Sequence, residues 1–339
     1  MSTDFLSQPI DPTAAARLKA AGLRMDLVDP SKPEIVEPWS EAATRGFHGG
    51  RLTPERHAEY LEANKARRNT GVWDVSSSSA EPVGTSNSWV SRLGIPGNRT
   101  IDAWAISTVT VASTHHKRGI ARALLEAELA AAANHVPMAM LTVSESSLYQ
   151  RYGFAPAAFA ADYEFDIRRT TWSGPTPDGR VEFITLEQLA AALAELHERL
   201  VPTRPGMVDI WPLRVSQLAG TSAADEDRAK KLRAIRYVDA EGATRGIANY
   251  RVSGGDDDFV KHTLTVEALV IETPDAGAAL WRYLLEIPLV EKVKVEHRPL
   301  DEPVLWMITD WRAADVTLWE HQYLRILDVK AVFEARGYV

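Results

Sequence analysis

The sequence contains no cysteine. That excludes disulfides, a thiolate metal site and a cysteine nucleophile. No stretch approaches the length of an apolar membrane span, and the N-terminus has no uninterrupted apolar core of the secretory kind. A soluble cytoplasmic protein is the plain reading. No lysine- or arginine-rich run offers a nucleic-acid face, and 46 acidic against 38 basic residues give a formal net charge of −8. The acidic balance mildly favours cationic partners, although solubility explains it equally well. The nucleotide loops GxxxxGK[ST] and GxGxxG are both absent. EF-hand spacing is absent too, so Asp256-Asp257-Asp258, after Gly254-Gly255, reads as a solvated turn rather than a cation site. What is present is a chain of 339 residues with 45% hydrophobic content, enough for two or three domains with cores of their own.

The chemistry concentrates in Thr108–Ala130, TVTVASTHHKRGIARALLEAELA. Ile106, Thr108 and Thr110 alternate with Ser107, Val109 and Val111, and the β-branched residues predict a strand. From Gly119 onward Ile120, Ala123, Leu124 and Ala127 fall at helical spacing. Between them lies a short basic loop, His115-His116-Lys117-Arg118. A helix start exposes backbone N–H groups without intrahelical partners, and the macrodipole favours an anion there. Gly119 and Ala121 keep the loop thin, and Lys117 and Arg118 add counter-charge, so the junction reads as a pyrophosphate cradle. Adjacent His115 and His116 do not make a metal site, because neighbours in sequence rarely point at one ion. The run His116-Lys117-Arg118-Gly119-Ile120-Ala121 fits [Q/R]-x-x-G-x-[G/A] except at its first position. It resembles the acetyl-CoA loop of the GNAT N-acetyltransferases.

The order of elements agrees. A helix follows Asp11-Pro12, and Leu23–Val28 is a first strand. Pro38 opens a helix over Trp39–Phe47, and Thr53-Pro54-Glu55 caps another carrying His57, Tyr60 and Leu61. Gly71–Val75 and Trp89–Leu93 are strands, and a Pro96-Gly97-Asn98 turn joins the latter to the central strand. Met138–Val143 is a buried strand. The run from Ser144 to Phe154, SESSLYQRYGF, reads as a short helix ending at Gly153, followed by a return strand. This is the GNAT order, and it puts Tyr149 where the family has its general acid. Tyrosine suits that role, because an unperturbed pKa of about 10 keeps it protonated at neutral pH. A backbone N–H near Val109 or Val111 would stabilise the oxyanion.

Residues 162–305 repeat the pattern. Thr185…Gln188 forms a capping box for a helix ending before Pro202. Arg233–Val238 and Ile247–Val252 form a hairpin, and Thr263–Ile271, a helix over Ala276–Glu286 and Val290–Glu296 follow. Here, however, the strand-to-helix junction is VIETPDAGAAL. Pro274 lacks an N–H, and Glu272 and Asp275 repel phosphate, so no acetyl-CoA site is expected. Tyr323–Val329 reads as a strand, and Ala331–Ala335 begins a helix closed by Gly337.

Two GNAT-like domains followed by LRILDVKAVFEARGY resemble the Eis (enhanced intracellular survival) family of N-acetyltransferases. The resemblance implies an α/β (α+β) fold with a catalytic GNAT domain over residues 1–161 and a second, acetyl-CoA-free GNAT-like domain over 162–305. Residues 306–339 would start a sterol-carrier-protein-like domain. It further implies acetylation of primary amines of aminoglycoside or polyamine type, and a homohexamer built as a dimer of trimers. Val109, Val111, His116, Lys117, Gly119, Ile120 and Ser144 would contact acetyl-CoA together with Arg118 and Ala121. Tyr149 would be the acid, and Phe47, His48 and Tyr60 would face the amine. Three departures stand out. His116 replaces an arginine, which makes one phosphate contact weaker or pH-dependent. His48 stands where the family has a carboxylate. Val339 ends before the family's C-terminal carboxylate base, so either the chain is truncated or the base acts through water. Two other readings remain, a mycothiol-synthase-like tandem enzyme and a non-catalytic acetyl-CoA-binding scaffold.

Overall fold

The computed structural model describes residues 4–255 and 258–337. Asp256, Asp257 and Val339, on which two of the expectations above rest, lie outside the described residues. The first elements are α1 (Pro12–Ala20), β1 (Leu23–Val28), α2 (Pro33–Gly46), α3 (Pro54–Asn64), β2 (Arg68–Asp74), β3 (Gly84–Ile95), β4 (Arg99–Val111), α4 (Ile120–Ala132), β5 (Met138–Thr142), α5 (Ser146–Tyr149) and β6 (Ala155–Asp166). Then come β7 (Arg180–Ile184), α6 (Leu186–Leu200), α7 (Pro212–Ala219), α8 (Glu226–Ala229), β8 (Leu232–Val238), β9 (Thr244–Gly254), β10 (His262–Ile271), α9 (Pro274–Leu285), β11 (Val290–Arg298), β12 (Ala314–Ile326) and α10 (Val329–Ala335).

The described residues of Met1–Ala157, Val201–Val208 and Gln322–Val339 form one compact unit, and those of Ala158–Leu200 and Asp209–His321 form a second. This grouping differs from boundaries at 161 and 305, because it follows strand pairing. Gln322–Ile326 of β12 pair with Met138–Thr142 of β5. Of residues 306–339, expected to open a third domain, those up to His321 therefore group with unit 2 and the described residues from Gln322 onward with unit 1. There Val332 is buried beside Leu93, Ile95 and Ile101, whereas Val329 and Phe333 of the same helix stay exposed.

In unit 1, β1 to β4 pair antiparallel in chain order. β5 joins β4 in parallel through the crossover helix α4, over Ala103–Ala105 and Met138–Met140 alone. The local sequence explains the helix starts. Asp11 accepts from the Ala14 N–H at 2.8 Å, and Thr53 accepts from the Arg56 N–H at 3.3 Å. α2 begins at Pro33 rather than Pro38. Pro38 is accommodated in the second turn, where the missing N–H forfeits only the bond to the Glu34 carbonyl. α4 is apolar on two faces. Ile120, Ala123 and Leu124 pack on Leu18, Leu23 and Met25, while Leu125 and Leu129 pack on Trp104, Leu141 and Tyr323. Burying each leucine stabilises the fold by roughly 1.5–3 kcal/mol, so the strand–loop–helix junction sits on a well-anchored helix.

Unit 2 has the neighbour order β6-β11-β10-β9-β8-β7. β10 and β11 run parallel across the helix α9, and the other pairs whose register is described run antiparallel. Trp281 of α9 packs edge-on against Phe165 and Tyr163 of β6, at ring-centroid distances of 5.6 and 6.4 Å. The capping box forms in both directions. The Thr185 N–H donates to Gln188 at 3.0 Å, and the Gln188 N–H donates to Thr185 at 3.2 Å.

Candidate active site

Beyond Ala105 and Met140 the parallel strands β4 and β5 no longer pair. β4 also bulges, since Thr85 pairs with Thr110 while Asn87 pairs with Ser107, leaving one extra residue on β4. Thr108 takes the strain at φ 56. Thr85 stabilises it from the neighbouring strand, donating to the Thr108 carbonyl at 2.9 Å and lying 2.6 Å from the Thr110 hydroxyl. The separating strands open a cleft of about 700 Å³. Its β4 wall carries Val109 and Val111, its α2 end carries Phe47 and His48, and its far wall carries Ser144 and Tyr149. α2 reaches β4 only because residue 46 is glycine: a Cβ there would stand 2.4 Å from Thr110 Cβ.

The loop before α4 forms the end of this cleft, with His116, Lys117, Gly119, Ile120 and Ala121 all lining it. Gly119 is the N-cap at φ 79, a left-handed conformation that glycine adopts without steric penalty. No side chain caps α4, and its first turn holds no acidic residue. α1, α3 and α9, by contrast, have N-cap side chains on their first N–H groups. The free start of α4 thus faces the cleft with Lys117 beside it, a fit for a diphosphate.

Two predicted residues go elsewhere. Arg118 turns away, donating to Asp74 at 3.3 Å and to the Ala21 carbonyl at 2.8 Å. It braces the loop rather than lending it charge, because β2 and α1 offer fixed acceptors behind it. Tyr60 lies on α3 outside the cleft, within electrostatic reach of Arg67, whose pKa burial lowers to about 10. His116 lines the cleft, but its Nε2 lies 3.2 Å from the Val111 carbonyl, which holds the loop against its own strand.

Other residues join the site unannounced. Asp74 is the loop's anchor, bonding His115 at 3.0 Å as well as Arg118. Hydrogen bonds from Ser76 and His115, with Arg118 nearby, hold its carboxyl well below the usual range. Arg122, Arg151 and Tyr152 line the same cleft. The last two were visible within SESSLYQRYGF, and Arg122 sits one turn into the helix. Tyr149 is 8% exposed and packs edge-on to Phe154. Burial, then the charge of Glu145 and the proximity of Tyr152, raise its pKa. It keeps its proton at neutral pH, and its buried hydroxyl lines the same cleft as the uncapped start of α4.

At the corresponding junction of unit 2, Thr273 caps α9 itself, accepting from the Ala276 N–H at 3.2 Å. Arg199 and Arg245 hold Glu272 at 2.8 and 3.4 Å. The helix start is closed by its own side chains.

Residues 28–157 match the Acetyltransferase (GNAT) domain family, and residues 210–326 match a second family of the same description. The chain is 32% identical over 327 residues to an uncharacterized N-acetyltransferase of Streptomyces avermitilis, covering 91% of this chain and 77% of that one. It is 29% identical over 279 residues to N-acetyltransferase Eis of Mycobacterium bovis, covering 79% of this chain and 65% of that one. The crystal structure of Eis1 from Mycobacterium abscessus superposes with a TM-score of 0.74 at 25% identity, over 94% of this chain and 76% of that one.

Proposed function

This chain belongs to the Eis-type N-acetyltransferases with tandem GNAT domains, and on that premise we propose that unit 1 acetylates a primary amine of an aminoglycoside or polyamine, with Tyr149 as general acid. The carrying observation is that one cleft collects the uncapped start of α4, the unpaired edge of β4 and the buried Tyr149 hydroxyl. Acetyl-CoA supplies the activated acyl group. Lys117 and the first N–H groups of α4 hold its diphosphate. The β5-facing edge of β4 beyond Ala105 has no partner in β5, so its backbone groups bond the amide-bearing arm as a neighbouring strand would. The N–H of Val109 or Val111 stabilises the oxyanion as the amine nitrogen bonds to the acyl carbon. The C–S bond breaks, Tyr149 Oη protonates the leaving sulfur, and the amine's proton leaves through water. Glu145 on the cleft wall supports a cationic acceptor. Assembly as a homohexamer belongs to the same reading, and light scattering tests it.

The test is CoA thiol release from acetyl-CoA against aminoglycosides, polyamines and lysine peptides, with Tyr149→Phe as control. Turnover that falls roughly 100-fold or more in the variant is the expected result. Unchanged turnover in Tyr149→Phe removes the acid. Tight acetyl-CoA binding without turnover on any amine makes the protein a binding scaffold.

A further inference from the structure

Unit 2 holds a cleft of its own, about 550 Å³, where β10 and β11 part. Their parallel pairing ends at Val266 and Val295. β10 bulges at Glu267, between Val266 and Ala268, and β11 shifts register between Val295 and Arg298, with His297 at φ 58. α6 and α7 close the cleft with Leu193, Arg214 and Leu218. It falls in the volume range of small-molecule sites, and polar and apolar side chains share its lining about equally.

Its charge is unbalanced. Four arginines line it against the carboxylates of Glu267 and Glu296, in a chain whose net charge is −8. Glu267 is shared by Arg228 and Arg251, at 2.7 and 2.9 Å. Arg298 is committed to Glu302 at 2.7 Å and to the Leu269 carbonyl at 2.6 Å. Arg214 makes no hydrogen bond and no ion pair among the described residues. Arg214 as a whole residue is exposed to solvent, while partial desolvation of its guanidinium and the like charge of Arg228 act against its protonated form. An anion between them removes that repulsion. A guanidinium presents a planar fork matched to one carboxylate. A phosphate dianion would meet Glu267 and Glu296 without a helix start to offset them, because Thr273 has closed α9.

We propose that this cleft binds a small organic carboxylate, with the carboxylate on Arg214 and the apolar body against Leu193, Leu218, Val266 and Leu269. The proposal rests on unit 2 alone and does not depend on acetyl transfer by unit 1.

Isothermal titration of the full chain with octanoate and phenylacetate tests it, with octan-1-ol and phenylacetamide as uncharged counterparts. The expected result is one site per chain for at least one acid, weakened at least tenfold in Arg214→Ala and partly restored in Arg214→Lys. Acetyl-CoA should neither compete with the acid nor bind Arg214→Ala differently, which also shows that the variant is folded. The proposal is overturned if neither acid binds, if the uncharged compound binds as tightly as its acid, if Arg214→Ala binds like wild type, or if acetyl-CoA displaces the probe.

Discussion

His48, Thr108 and Lys117 line the unit 1 cleft at φ 60, 56 and 62, angles that side-chain-bearing residues rarely adopt. Each represents roughly 1–3 kcal/mol of strain that the surrounding packing must overcome. Gly46 is part of that packing, so Gly46→Ala, which drives a methyl into Thr110, should destabilise unit 1 by about 1–3 kcal/mol in chemical denaturation. A larger loss is expected at Glu128. It is 1% exposed, accepts from Trp104 at 3.0 Å and Thr70 at 3.2 Å, and faces buried Arg68. Glu128→Ala leaves that guanidinium uncompensated and should cost roughly 3–5 kcal/mol. Tyr149 gives a pH signature. Its pKa is raised in the folded chain, so under the proposed acid role the proton is present below the ordinary tyrosine range and is lost only as pH rises through the higher folded value. The alkaline fall of kcat should therefore lie above the range of a free tyrosine, and residual turnover in Tyr149→Phe should lack it. At this scale the sequence is legible where chemistry is local. Gly119 and Lys117 reach the cleft because backbone geometry puts them there. Arg118 does not, because its acceptors, Asp74 and the Ala21 carbonyl, come from distant parts of the chain.

Helix starts announced themselves at Asp11, Thr53 and Thr185, because a cap is a contact within three residues. α2 shows the opposite case. Two prolines fit a first turn, and only the packing of Val36 and Trp39 against Val28 selects the earlier one. α7 and β7 passed unread because each is short. The same locality makes the loop before α4 testable as an element. Asp74, at the end of β2, ties down His115 and Arg118 from outside the cleft lining. Asp74→Ala should raise KM for acetyl-CoA several-fold with kcat retained, as steady-state kinetics will read. Its lowered pKa means that the brace holds above the ordinary carboxylate range and fails only as pH falls through the lower folded value. Acid weakening of acetyl-CoA affinity through this brace should accordingly appear only well below the ordinary aspartate range of about 4.

The repeat of two GNAT patterns was readable in the whole chain, whereas the destination of its last stretch was not. LRILDVKAVFEARGY has the composition of a strand and a helix, and composition does not say which sheet the strand completes. Tyr323, 1% exposed, packs with Trp104, Leu125 and Leu141. Tyr323→Ala should destabilise unit 1 by about 3–5 kcal/mol and lower its acetyl-CoA binding, as measured by denaturation and calorimetry.

Unit 1 is assembled from three separate lengths of chain, and Gln322–Ile326 are the only described residues that pair with the outer edge of β5. On the ribosome, synthesis delivers β5 long before that partner. Nascent unit 1 must wait with an unpaired apolar strand edge while all of unit 2 is translated, although N-terminal domains commonly fold first. Chains stalled after residue 300 should therefore show a protease-sensitive unit 1 and heavy chaperone occupancy, and full-length release should abolish both. Protease resistance of unit 1 in the stalled chains would show that it folds without its last strand.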